Sequence, residues 1–501
     1  MSESNSYRQI LRSSSIMGSA QAISYLVGLV RVKIVALILG PAGVGLVGIY
    51  TSAVAMVGSV SSLGIGSSGV REVSAADTRG DPVHVARTIR ILRRASWATG
   101  LLGWLVTAAL AVKLSQWVAG SPMHALPIAI LGSTLLLGAV SGGQLALLQG
   151  LRRIGDIARV SVWGVVLNSA LAIGLYAWLG KDGIVPVLIG SAAMTLVLSY
   201  LFARRINLPE VQLSWRDTVF GAVPLVRLGV AFMWSAVLAA ALDLYVRSLI
   251  NRHLGLDATG IYQAAWGLSG MFAAFVLQAM GADFYPRLTS VINDHAQARQ
   301  AVNEQTEIGI LLAVPGLLAT LAFAPLAIAF FYSRAFAPAA DVLVWMVIGV
   351  FGRVVSWPMG FIMLALGSGR WFVATESTFI AIQAALLYWL VPSVGVVGAG
   401  WSFALTYLLY TVGMLGVAHR LIGFRWSGEV VRLLAGTTAL VAAGLASTLL
   451  VPTPWRWFVG AGICTIGTLI SARGLVRRLG PEHRISSVLA RIPGWRWIVG
   501  V

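Results

Sequence analysis

The chain has 501 residues, of which 58% are apolar and only 11% charged. A soluble domain carries about 45–50% apolar and about 25% charged residues, so this composition excludes a soluble enzyme, a disordered chain and a nucleic-acid-binding domain. The formal charge of +18 sits mostly in short segments between apolar runs, which is the positive-inside bias of a membrane protein and not a basic patch for nucleic acid.

A helical span needs about 20 mostly apolar residues. The polar start MSESNSYRQILRSSS leads into an apolar run longer than a signal-peptide core, which reads as a retained first span over 16–39. Arg31 and Lys33 lie in it, about 10–12 Å from its outer end at about 1.5 Å per residue. The second span is 43–69. Arginines 71, 79, 87, 90, 93 and 94 precede the third, 95–117. Spans at 124–149, 160–179 and 184–203 follow. The seventh, 228–251, carries Asp243 and Arg247 at i, i+4, and the eighth is 258–282, ending at Asp283. Glu307 opens the ninth, 307–331. Arg353 stands mid-span in the tenth, 339–366, and Glu376 early in the eleventh, 372–391. Runs at 396–419, 430–451 and 455–473 complete fourteen spans.

The expected fold is therefore an all-α polytopic membrane protein. A barrel would show alternating segments of about ten residues, and these runs neither alternate nor are that short. With the N-terminus inside, 27 of the 36 Lys and Arg fall on the inside, so both termini are expected in the cytoplasm. The outside connections (180–183, 252–257, 332–338 and 392–395) are short. A polysaccharide polymerase or ligase would need a large loop with catalytic Arg or His. The six histidines have no ligand spacing, the single cysteine Cys464 allows no internal disulfide, and no GxxxxGK[ST] run is present. The expectation is a transporter with no metal or other cofactor, not an enzyme.

LGPAGVGLVG (39–48) and LGLDATGIYQ (254–263) stand 215 residues apart at the first-to-second and seventh-to-eighth connections. Six helices separate them, so the halves have parallel topology. Parallel repeats imply two six-helix lobes, 1–215 and 216–425, with a cavity between them. The last two helices and a basic tail, 426–501, fall outside the repeat.

Ionisable side chains within spans are expensive and mark cavities or partners. Each has a plainer reading too. Arg31 and Lys33 can snorkel to headgroups. Asp243 and Arg247 can neutralise each other on one helix face. Glu307, Asp283 and Glu376 sit near the cytoplasmic edge, and Trp234, Trp266, Trp345, Trp357 and Trp371 mostly suit interface belts and packing, with a minority stacking on sugar rings in the cavity. Counted together, Arg31, Lys33, Arg247 and Arg353 outnumber Asp243 at depth. A net-positive cavity favours an anion, and the arginine fork suits phosphate oxygens. An exporter of cationic drugs would want the reverse.

Several stretches carry a family resemblance. TGIYQAAWGLSGMFAAFVLQAMGADFYPRLTSV (259–291), NEQTEIGILLAVPG (303–316), FYSRAF (331–336), LLQGLRRIGDIARVSV (147–162) and RVKIVALILGPAGVGLVGIY (31–50) resemble the Wzx-type O-antigen and exopolysaccharide flippases of the multidrug/oligosaccharidyl-lipid/polysaccharide exporter superfamily. The resemblance runs roughly from Ile16 to Arg420. It implies a MATE- and MurJ-like fold of two six-helix lobes with two appended helices, in the bacterial inner membrane. It implies a substrate too: an undecaprenyl-diphosphate-linked oligosaccharide, moved from the cytoplasmic to the periplasmic leaflet by alternating access. Arg31, Lys33, Arg247 and Arg353 are then the substrate-binding candidates. Asp243 and Glu376 are the ion-coupling candidates, because no built-in ATPase is present to drive the cycle. Implied partners are the lipid-linked oligosaccharide, membrane lipids, and polymerase and chain-length machinery. A lipid II flippase is the alternative, since it would share the cationic cavity.

Overall fold

A computed structural model of the chain describes residues 3–452 and 454–479, without the side chains of 3–18, 67, 224–225, 227–232, 275, 278–283 and 479. Asp283 and the tail arginines 484, 491 and 496 thus lie outside the described residues. Among the described residues there is no strand, and fourteen α-helices carry the fold. These are α1 (Glu3–Ser61), α2 (Ile65–Thr78), α3 (Pro82–Ala119), α4 (Ala125–Leu131), α5 (Ser133–Gly150), α6 (Ile154–Leu179) and α7 (Ile184–Ala203). The remainder are α8 (Trp215–Val291), α9 (His295–Phe331), α10 (Ala339–Ala365), α11 (Gly369–Val394), α12 (Val397–Ile422), α13 (Gly428–Leu450) and α14 (Trp455–Leu479).

Among the described residues, eleven stretches are long and apolar enough to cross a membrane. Three of them, Ser19–Ser61, Ile154–Ala203 and Met233–Ala274, have 43, 50 and 42 residues, which is about twice one crossing. Each is broken near its middle, at Gly40, at the 3-10 turn Gly180–Gly183, and at Gly255. Counting each as two crossings gives fourteen, matching the apolar runs of the sequence. One difference in bounds has a local cause. The run 43–69 is not a single helix, because Leu63 and Gly64 adopt positive φ and part α1 from α2.

Gly40 (φ 64°, ψ −177°) and Gly255 (φ 85°, ψ 179°) share one backbone conformation, a region open essentially to glycine alone. Both stand at the same place in the 215-residue repeat. The segments that follow them touch. A Cβ on Gly45 would lie 2.8 Å from the Gly260 nitrogen and closer still to the Leu256 carbonyl oxygen. A Cβ on Gly260 would lie 2.6 Å from the Pro41 carbonyl carbon. Position 256 is the repeat equivalent of 41, so the contact is reciprocal: 45 meets 256, and 260 meets 41.

The helices form two compact units, one running to Gly260 and taking in Phe331–Ser333, the other holding Ile261–Phe330 and the chain from Arg334 onward. In the first, α1 packs on α6 and α5 on α7, around Ile49, Tyr50, Ile128, Tyr176, Ile184 and Leu244. The α3 helix ends at Ala119, where the Gly120 N–H caps the Gln116 carbonyl and the later carbonyls lack helical partners. Side chains of α8 supply donors there: Ser248 Oγ to the Trp117 oxygen at 2.7 Å, Asn251 Nδ2 to Val118 at 3.1 Å and Arg252 Nη2 to Gln116 at 2.8 Å.

In the second unit, Phe284 and Leu288 of α8, Ile362 and Met363 of α10 and Met414 of α12 form a core. The α10 and α12 helices approach closely because small residues face the partner. A Cβ on Gly352 would lie 3.1 Å from the Tyr407 carbonyl oxygen, and one on Gly400 would lie 2.9 Å from that of Val342. Arg478 of α14 donates through Nε to Glu307 Oε2 of α9 at 2.6 Å and reaches Glu429 of α13 at 3.6 Å. The last helix is thereby tied to the unit.

Candidate functional site

The four deep cations differ in what their charges meet. Arg247 is 4% exposed, forms an ion pair with Asp243, and donates from Nη1 to the Asp243 carbonyl oxygen at 2.8 Å. This is the i, i+4 pairing on one helix face that the spacing allows. The Lys33 ammonium donates to the backbone carbonyl of Tyr332, in the same unit. Arg31 is half-buried and lies within electrostatic reach of the Tyr176 hydroxyl. It makes no hydrogen bond or ion pair with the described residues. Arg353 is likewise without an acceptor among them, and its guanidinium lies 5.9 Å from the centre of the Tyr407 ring. Two of the four cations are thus committed to protein partners, and Arg31 and Arg353 are not.

Arg353 lines a cavity of about 260 Å³ in the second unit. Three helices build it. From α10 come Arg353 and Trp357, one turn apart; from α11 come Glu376 and Gln383, two turns apart; from α12 come Thr406, Tyr407 and Tyr410. The close packing of α10 on α12 at Gly352 brings Tyr407 against Arg353. The Tyr410 hydroxyl donates to Glu376 Oε1 at 3.4 Å. Phe379 meets the Tyr410 ring edge-on at 4.8 Å, fixing that tyrosine's plane. Arg353, Tyr407 and Glu376 lie within electrostatic reach of one another. Arg353 and Glu376, assigned separate roles from the sequence, therefore share one chamber.

Much of this chamber's hydrogen-bonding capacity is unspent. The Thr406 oxygen is buried without a partner, in a residue 4% exposed. Gln383 makes no hydrogen bond with the described residues, and neither does the Arg353 fork. A buried polar group without a partner is costly, so such a set points to a ligand or ordered water. Thr406, Tyr407, Tyr410 and Gln383 were not among the sequence candidates, whereas Trp357 is one of the tryptophans that the sequence assigns to belts or packing, with a minority stacking on sugar. The signal that could have found the first three is the run TYLLYT (406–411), a polar and aromatic cluster inside an otherwise apolar span.

Two other cavities differ in chemistry. One of about 280 Å³ in the first unit is lined by small and hydroxyl residues, among them Gly58, Ser61, Ser96, Thr99 and Gly142. One of about 640 Å³ in the second unit is almost wholly apolar, with Trp345, Trp401 and Trp426 in its wall.

The profile of a family described as "Polysaccharide biosynthesis protein" matches residues 34–341. The Lipid III flippase of Escherichia coli (strain K12) is 22% identical over 386 residues, which is 76% of this chain and 92% of that protein. Among solved structures, the lipid II flippase MurJ in an inward closed conformation superposes with a TM-score of 0.69 at 10% identity, over 92% of this chain and 99% of that one. An inward-facing MATE family multidrug resistance transporter of the MOP superfamily gives 0.64 at 14% identity, over 82% and 96%. At these identities the structural likeness is one of fold.

Proposed function

The chain belongs to the polysaccharide biosynthesis protein family, and from that premise we propose that it is a flippase that moves a lipid-linked saccharide across the membrane it spans. The finer reading is an oligosaccharide repeat unit of O-antigen or exopolysaccharide type on undecaprenyl diphosphate. It passes from the cytoplasmic to the periplasmic leaflet of a bacterial inner membrane, with both termini of the chain in the cytoplasm. Polymerase and chain-length proteins would act on the delivered unit.

The observation that carries the reading is the pair of uncommitted guanidinium groups, Arg31 and Arg353, within membrane-crossing helices. An arginine at mid-membrane costs about 2.5–3.5 kcal/mol even on insertion scales, so one without a protein partner is kept for a ligand. The polar head of the substrate has the complementary problem, since unpaired charge in hydrocarbon is prohibitively costly. Guanidinium donors that meet diphosphate oxygens and sugar hydroxyls relieve both. Lys33 and Arg247 are engaged by Tyr332 and Asp243 in this conformation, and they join the substrate only as those contacts open. Asp243, beside Arg247, and Glu376, in the chamber with Arg353, are the carboxylates through which ion coupling would act. Alternating exposure of the bound head to the two sides completes the cycle, driven by an ion gradient, the membrane potential or removal of product.

A strain lacking the chain should accumulate lipid-linked intermediate on the inner leaflet. Arg31→Ala and Arg353→Ala should fail to restore export while reaching normal membrane levels. Full export by both variants overturns the reading. A second reading, a lipid II flippase, draws on the same uncommitted guanidinium groups, which suit any diphosphate-linked head. It predicts instead that the chain restores growth to cells depleted of lipid II flipping.

A further inference from the structure

With Glu376 ionised, the chamber of α10, α11 and α12 is balanced in charge. It holds one guanidinium, Arg353, and one carboxylate, Glu376, with no ion pair between them among the described residues. From α10 Glu376 faces Arg353, and from α12 it faces Tyr407 and Tyr410. An anionic ligand would leave the chamber with one uncompensated negative charge, and a cationic ligand with one positive charge. Either is costly away from water. An uncharged ligand keeps the balance.

Such a ligand must use the unspent groups. Arg353 and the Gln383 amide offer donors, ionised Glu376 offers acceptor positions beyond the one taken by Tyr410, and Thr406 can do either. A hydroxyl both donates and accepts, so a hydroxyl-rich molecule satisfies all four. The walls are aromatic: Trp357, Tyr407 and Tyr410 line the chamber, and aromatic rings suit a sugar's C–H surface. The volume, about 260 Å³, lies just below the range of about 300–1,000 Å³ typical of drug-sized ligands, so it suits one ring and not a chain of rings.

We infer that this chamber is a subsite for a single uncharged sugar ring, gripped by Arg353, Gln383, Thr406 and the ionised carboxylate of Glu376 between aromatic walls. It rests on the flippase reading, in which the ring is part of the lipid-linked head. Protonating Glu376 removes an acceptor and leaves Arg353 uncompensated. Sugar and proton therefore compete. Sugar affinity is full where Glu376 is ionised and declines as the pH falls through its titration.

The test is saturation-transfer NMR on the full chain in nanodiscs, with methyl glucoside and methyl galactoside as probes and glucuronate and glucosamine as charged counterparts. At least one uncharged glycoside should bind about tenfold more tightly than either charged sugar, and more weakly at acidic than at neutral pH. Glu376→Gln should lose about tenfold in affinity together with the pH dependence. Glu376→Asp, which keeps the carboxylate, should retain the pH dependence, and it guards against a misfolded first variant. Lipid-linked oligosaccharide should displace the glycoside. Glucuronate binding as tightly as the glycosides, or Glu376→Gln binding as wild type, overturns the inference. A chain that restores export yet shows no preference for uncharged sugar keeps the flippase reading and loses this site. One that binds the glycoside yet restores no export does the opposite.

Discussion

Removing Asp243 and removing Arg247 have unequal consequences. Arg247 is 4% exposed whereas Asp243 is 32% exposed, so losing the carboxylate removes the counter-charge of a guanidinium that water barely reaches, while its bond to the backbone carbonyl of residue 243 remains. Asp243→Ala should cost about 2 kcal/mol, below the roughly 3–5 of a fully buried pair because the carboxylate is partly hydrated. Arg247→Ala should cost less, and the double variant should be more stable than Asp243→Ala alone. Thermal unfolding of the three purified variants measures this, and additive losses would show that the two groups act independently. This pairing was legible in the sequence, because i, i+4 spacing on a helix fixes it. The engagement of Lys33 was not, because its acceptor is a backbone carbonyl 299 residues away. Arg353 and Glu376 were visible as costly charges, but their common chamber depends on how three helices pack, which no local pattern records.

The helix corners carry the strongest constraint at the scale of elements. The two copies of the glycine corner were readable as a repeat, whereas the positive φ that Gly40 and Gly255 share came from the structure. Their mutual contact was not readable, because residue spacing says nothing about which turns meet. Gly45→Ala and Gly260→Ala should each destabilise the protein by about 1–3 kcal/mol, since the neighbour is backbone and cannot swing aside. Gly28→Ala, with nothing within 4 Å of its added Cβ, should be tolerated. Membrane levels and melting temperatures of the three variants rank them, and equal behaviour would deny the contact. At the start of α9, Asp294 Oδ1 accepts the backbone N–H groups of Gln297 at 3.2 Å and Ala296 at 2.9 Å. The Gln297 N–H first, then that of Ala296, holds this exposed carboxyl below its ordinary range. A depressed carboxyl stabilises above its unfolded value and loses that contribution as the pH falls through the folded one. Amide protection in the first turn of α9, taken relative to the intrinsic exchange rate at each pH, should therefore fall on acidification. Asp294→Ala should show the low protection at every pH.

For the whole molecule, the count of helices came directly from hydropathy, because each crossing must bury its own backbone in one segment. The side each loop faces rests on arginine counting, and it can be measured. In a Cys464→Ser background, a cysteine at Asp182 should react with an impermeant maleimide from outside intact cells. One at Arg205 should react only after permeabilisation. The reverse pattern would invert the topology. The division into compact units required the coordinates, since α8 runs through both and Phe331–Ser333 belongs with the first. The reciprocal corner also couples the movements of its two copies. Residue 45 meets 256 and 260 meets 41, a pattern that maps onto itself when the two copies are exchanged. Each backbone is the wall against which the other rests, so a shift of one corner is felt at once by the other.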